Sequence, residues 1–152
     1  MPKRRRLTIT PTKTPVMTVY RRAVKAHRLV YIICTPKPQK YPGGKGGNRS
    51  RIIYIGTTSV GVHRLASSMA SKAADVLRER GVRQLEVFAV TCPPRPGLDG
   101  WKRLERDLLV TFNILYGRVP KANKSGKNFT PDKLSKMFQY RRLEGVLRAY
   151  AE

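Results

Sequence analysis

Residues 28–35, Arg28-Leu29-Val30-Tyr31-Ile32-Ile33-Cys34-Thr35, and residues 51–56, Arg51-Ile52-Ile53-Tyr54-Ile55-Gly56, decide the fold of this 152-residue chain. Both runs are rich in β-branched and aromatic side chains. Both are apolar on both alternations, the pattern of strands covered on two faces. Pro36 and Pro38 end the first run. Residues 37–50 hold Lys37, Lys40, Lys45 and Arg49 among prolines and four glycines. That composition reads as a flexible basic loop, so the two strands form a hairpin with an enlarged tip.

Outward from this hairpin, Val62, Leu65, Met69, Ala73, Val76 and Leu77 recur at spacings of three and four over residues 60–80, and Gly81 follows. That predicts a helix. Residues 84–91 read as a third strand, followed by a stiff Pro93-Pro94-Arg95-Pro96-Gly97 loop. Residues 99–116 give the strongest helix signal: Trp101, Leu104, Leu108, Phe112 and Leu115 form a buried stripe and Gly117 a cap. A second basic loop, 118–129, carries Lys121, Lys124 and Lys127. Thr130-Pro131-Asp132 then supplies a cap, a proline at the first helical position and an acid near the positive dipole end. It predicts a last helix over 130–150. Tyr20 to Ala26 reads as a short element, and residues 1–14 as a flexible basic arm. The order is β-β-α-β-α-α. The chain is expected to be α+β, one domain over 15–152 with a small antiparallel three-stranded sheet flanked by helices.

The charge says what such a domain meets. Thirty-two Lys and Arg stand against nine Asp and Glu, a net charge of +23. Residues 1–74 hold sixteen basic residues and no carboxylate; Asp75 is the first. Such a surface repels itself until a polyanion neutralises it, and phosphate backbones do so with release of counterions. Lys37, Lys40, Lys45, Arg49, Arg51, Lys121, Lys124 and Lys127 are the expected nucleic-acid contacts. No run approaches the roughly 18 apolar residues of a membrane span, and no basic amphipathic helix with an aromatic face stands out. No membrane partner is expected. No charged stretch leads into an apolar secretory segment, which points to an intracellular protein. A prokaryotic or virus-encoded setting suits it best; Pro2-Lys3-Arg4-Arg5-Arg6 also suits a nuclear or organellar address. Cys34 and Cys92 do not make a disulfide scaffold and are expected reduced and buried. Two histidines and no CxxC pair exclude a zinc finger.

Few residues are left to carry chemistry. No Ser-His-Asp arrangement, Walker loop or carboxylate pair at helical spacing pointing into a core is present. Glu105 lies four residues after Trp101, three before Leu108 and seven before Phe112, which sets it on the buried stripe or at its edge. A lone carboxylate there needs a cation, either an arginine, the more frequent partner, or a divalent metal. Asp107 falls toward the opposite, solvated side. Tyr31 and Tyr54 sit mid-strand in neighbouring strands, where core packing with a satisfied hydroxyl is the ordinary role.

Together, Leu29-Val30-Tyr31, Tyr54-Ile55-Gly56, Arg64, Glu105, Gly117, Pro120 and Asn123 follow an order that resembles the GIY-YIG nuclease family over about residues 28–124. The first motif departs from the family in keeping only its tyrosine. The gap between the tyrosines is long, and Ser68 stands where many members carry a histidine. The resemblance implies a metal-dependent endonuclease. In it Glu105 binds one Mg²⁺ (or Mn²⁺), Arg64 holds the scissile phosphate, Tyr31 activates the attacking water, Tyr54 hydrogen-bonds nearby and Asn123 is a supporting polar contact. Arg64, the metal and lysines of the 37–50 loop would favour the phenolate. It also implies DNA rather than RNA as substrate. A homodimer or a larger nucleoprotein complex is compatible with the small size. The rival readings are a ribosomal or architectural nucleic-acid-binding protein without catalysis, and a nuclease subunit targeted by partners.

Overall fold

A computed structural model describes residues 9–15, 26–78, 82–123 and 133–152. Its elements are β1 (Leu29–Gly44), β2 (Gly47–Thr58), α1 (Val62–Val76), β3 (Glu86–Val90), α2 (Gly100–Tyr116) and α3 (Tyr140–Ala151). The three strands form one antiparallel sheet in the order β2-β1-β3. Residues 30–34 of β1 are paired on both sides, which is why this run is apolar on both alternations. On one face Val30, Ile32, Cys34, Ile52 and Ile55 pack with Leu104, Leu108, Phe112 and Leu115 of α2 and with Leu143 and Leu147 of α3. On the other, Leu29, Tyr31, Ile33 and Ile53 meet Leu65, Met69 and Val76 of α1. The architecture is α+β with the expected order of elements.

The 37–50 segment is not a loop. β1 and β2 continue past the sheet as a two-stranded ribbon that closes in a two-residue turn, Lys45-Gly46, between the paired Gly44 and Gly47. Residues 35–38 of β1 bulge out between the pairs Cys34–Ile52 and Gln39–Ser50, and Pro36 and Pro38 fall in that bulge, where no ladder N–H is needed. Thr35 Oγ1 donates to the Arg51 carbonyl and Arg51 Nε to the Thr35 carbonyl, stapling the bulge (3.2 and 2.8 Å). The ribbon is tied down at its end. Tyr41 enters the core 5.2 Å from Phe112, and the Gly46 N–H donates to the Leu115 carbonyl at the C-terminus of α2 (2.8 Å). A Cβ on Gly44 would sit 2.5 Å from the Ile114 carbonyl oxygen, so Gly44 allows close approach rather than flexibility.

Two further expectations are corrected. Residues 133–139 are not helical, and α3 begins only at Tyr140; the Thr130-Pro131-Asp132 start, like Gly81 and most of the Tyr20–Ala26 element, lies outside the described residues. Asp107 is fully buried, not solvated. The cause is shared: Ser135 donates its N–H and its Oγ to the Asp107 carboxylate (3.0 and 2.6 Å), drawing this segment across α2, and Lys136 at φ 60° breaks it from the helix that follows. α2 is therefore buried on a wider face than its apolar stripe, with Val110 and Thr111 inside and Trp101 only half-buried. Cys34 and Cys92 are both free thiols, Cys34 buried and Cys92 half-buried.

Candidate active site

The site begins with a bulge in β2. Ile33 pairs with Tyr54 and Cys34 with Ile52, so Ile53 is the extra residue and lies with Tyr54 on the α1 face. The register is unbroken from Tyr54 to Thr58, which sets Tyr54 on the same face as Tyr31, with ring centroids 5.8 Å apart and planes tilted by 35°. Gly56 pairs directly with Tyr31 and follows Tyr54 by two residues. A Cβ there would lie 2.5 Å from Tyr54 Cε1 and 2.7 Å from the Tyr31 hydroxyl oxygen. The glycine of Tyr54-Ile55-Gly56 is what lets the two phenols meet.

Two charges from separate helices reach this pair. Burial pushes the Tyr54 hydroxyl well above its ordinary value; Tyr31 and the Glu105 carboxylate push the same way, and Arg64 alone pulls back. Arg64, exposed in the first turn of α1, and Glu105, half-buried on α2, therefore both act electrostatically on Tyr54. At Tyr54 burial outweighs Arg64, so this hydroxyl keeps its proton. Glu105 itself is pushed up to about 7 by burial. No Lys or Arg among the described residues forms an ion pair with it. The arginine reading of its partner is not what is found.

Asn123 is engaged with backbone. Its Oδ1 accepts from the Ile55 N–H (2.9 Å) and its Nδ2 donates to the Ile55 carbonyl (2.7 Å), while the Ala122 N–H donates to the Ile53 carbonyl (2.9 Å). The 120–123 segment thereby covers the free edge of β2 at the residues flanking Tyr54. Asn123 positions the tyrosine strand; both ends of its amide are used in doing so. Lys72 is a site residue that sequence reasoning passed over. Its ammonium lies 4.8 Å from the Tyr54 ring centroid and donates to the Ala122 carbonyl (3.1 Å). The available signal was its place eight residues after Arg64, two turns along the same face of α1.

The expected phosphate contacts divide. Lys37, Lys40, Lys45 and Arg49 are exposed on the ribbon, and Lys121 is exposed beside Asn123. Lys40 and Arg49 are directly paired across strands, a like-charge pair that a phosphate would relieve. Arg51 is bound within the molecule, to Glu86, the Thr35 carbonyl and the Glu152 carbonyl. Lys124 and Lys127 lie outside the described residues. No cluster of three or more His, Cys, Asp or Glu side chains is present among the described residues. A single half-buried carboxylate without a cationic partner nevertheless fits a hard divalent ion that completes its shell with water and phosphate oxygens. No helix among the described residues is long and apolar enough to cross a membrane. No protein-family model, curated protein or solved structure matches this chain.

Proposed function

We propose that this chain is a GIY-YIG-type endonuclease that hydrolyses phosphodiester bonds, in DNA by preference. The observation that carries the reading is the meeting of Tyr31 and Tyr54 over Gly56, with Tyr54 under the charge of both Arg64 and a half-buried Glu105 that no described Lys or Arg pairs with. Binding alone does not call for it, since an uncompensated half-buried carboxylate opposes the docking of a polyanion.

In this reading Tyr31 first gives up its own proton to solvent; water then attacks phosphorus and passes its proton to the Tyr31 phenolate oxygen as the bond to the leaving oxygen breaks. Tyr54, kept neutral by burial, donates a hydrogen bond beside it. Arg64 binds the non-bridging oxygens of the phosphate with its planar fork, which a lysine does not reproduce. Glu105 would hold Mg²⁺ or Mn²⁺, and that ion, when bound, stabilises charge on the phosphate and on the leaving oxygen. Asn123 and the Ala122 N–H keep β2 in register while the charges change. Ser68 offers no imidazole, so the proton on the leaving group comes from solvent or from Tyr54.

The test is a plasmid and short-duplex assay with Mg²⁺ or with chelator. Wild type is expected to cleave only with the ion. Glu105→Ala is expected to lose cleavage by at least about 100-fold while keeping nucleic-acid affinity within about threefold. Equal cleavage by that variant removes Glu105 from the site; absence of cleavage in wild type leaves the non-catalytic binding protein as the reading.

A further inference from the structure

Beside the tyrosine pair runs a groove of about 320 Å³, between α1, the ribbon and the 120–123 segment, lined among others by Gln39, Ile53, Lys72, Asp75, Val76 and Lys121. We propose that this groove is a nucleotide subsite, seating a nucleotide of the bound strand a few positions from the cut, with Lys72 and Lys121 on its phosphate. It deepens the nuclease reading and rests on it for the strand that is bound.

Three observations support the subsite. The cations are held in place before any ligand arrives. Lys72 is fixed between the Tyr54 ring and the Ala122 carbonyl. The Lys121 N–H donates to the Tyr41 hydroxyl (3.2 Å), and its ammonium lies 5.9 Å from the Tyr41 ring centroid. No carboxylate among the described residues forms an ion pair with either lysine. The lining is also mixed in the way a nucleotide requires. Ile53 and Val76 give an apolar floor, 3% and 8% exposed, while Gln39 and Asp75 offer an amide and a carboxylate to base edges. A bare phosphate has no use for the apolar floor. Finally, the groove continues the site. Arg64, Ser68 and Lys72 follow one another at four-residue steps on α1, so Lys72 lies about 12 Å along the axis from Arg64. That is about three to four nucleotides of a B-form strand.

A scan of neutral methylphosphonate linkages, one per 12-nucleotide strand, locates the contact. Binding is read by fluorescence anisotropy on single strands and duplexes in chelator, so that nothing is cut. In wild type, neutralising the linkage seated on the two lysines is expected to weaken binding about tenfold. In Lys72→Gln/Lys121→Gln the same linkage is expected to have no effect, while linkages elsewhere keep theirs. An unchanged scan profile in the double variant overturns the subsite. Lys121→Gln alone, on an exposed side chain, carries the same comparison if the Lys72 change impairs folding. The outcomes separate from those of the nuclease reading: cleavage by wild type with an unchanged profile removes the subsite alone, and a changed profile without cleavage removes the nuclease alone.

Discussion

Glu105 is the residue on which the chemistry turns, and its ionisation is coupled to stability. Burial holds its carboxyl at about 7 instead of the ordinary 4.5. Below 4.5 the folded and unfolded chains both carry the proton and the group contributes nothing. Between 4.5 and 7 the unfolded chain releases the proton while the folded chain keeps it, so the folded state loses ground as pH rises. Above 7 the loss is complete, at most about 3 kcal/mol and less for a half-buried group. Metal-free wild type is therefore expected to have a lower melting temperature at pH 8 than at pH 5, and Glu105→Gln to lack that part of the decline. Mg²⁺ is expected to restore more stability at pH 8 than at pH 5, because it binds the ionised form. Parallel melting profiles for the two proteins would remove the burial penalty from Glu105. This much of the site was legible: helical spacing set Glu105 beside the buried stripe, and alternation put Tyr31 and Tyr54 in neighbouring strands. The bulge that puts Ile53 beside Tyr54 on the α1 face was not legible, because a bulge is a property of the paired strands. The role of Asn123 was hidden for the same reason: its partners are backbone groups of a strand 68 residues away.

At the scale of elements, the ribbon and the second helical layer separate what pattern reveals from what contact decides. Pro36, Pro38, Pro42 and four glycines carry every local mark of a loop. The segment is nonetheless strand, since the prolines fall in bulges, Gly44 and Gly46 lie against the end of α2, and Gly43 and Gly47 supply the positive φ that the turn needs. Asp107 was misplaced similarly: a helical wheel places a residue relative to one stripe, and the 133–139 segment covers α2 from another side. The ribbon's dependence on close approach has a measurable consequence. Gly44→Ala places a Cβ 2.5 and 2.7 Å from the carbonyl oxygens of Ile114 and Leu115, backbone atoms that do not yield easily. It is expected to destabilise the protein by about 1–3 kcal/mol in urea unfolding. Gly145→Ala, the same change in the exposed interior of α3 with nothing within 4 Å, is expected to stabilise by up to about 1 kcal/mol. Opposite signs identify contact, not glycine's flexibility, as the ribbon's requirement. A neutral Gly44→Ala would mean that the tip is not docked.

For the whole molecule, the +23 charge and the placement of the acids make folding and binding respond to salt in opposite directions. The carboxylates are largely used inside the fold or on local pairs: Asp107 holds Ser135, Glu86 holds Arg51, Glu144 holds Arg148 and Asp99 holds Lys102. Little is left to neutralise the ribbon, where Lys40 faces Arg49, and the groove sets one carboxylate, Asp75, against Lys72 and Lys121. The folded chain alone is therefore strained by its own charge, and added salt screens that repulsion. Raising NaCl from about 0.05 to about 0.5 M is expected to raise the melting temperature of the free protein by about 2–4 °C, the shift that roughly 1 kcal/mol gives in a chain of this size. The same change releases the advantage of counterion displacement. With about four or five phosphates contacted by Lys40, Arg49, Arg64, Lys72 and Lys121, log K for nucleic acid is expected to fall with log salt at a slope near −4. Replacing both groove lysines by glutamine should reduce that slope by about 1, since the two share one phosphate, and, by removing two repelling charges, raise the low-salt melting temperature of the free protein. A protein whose cations served only general solubility would show neither the steep slope nor its reduction. The paired measurement, melting and binding on the same variants across the same salt series, thus tests whether the excess charge is held in place for a strand of phosphates.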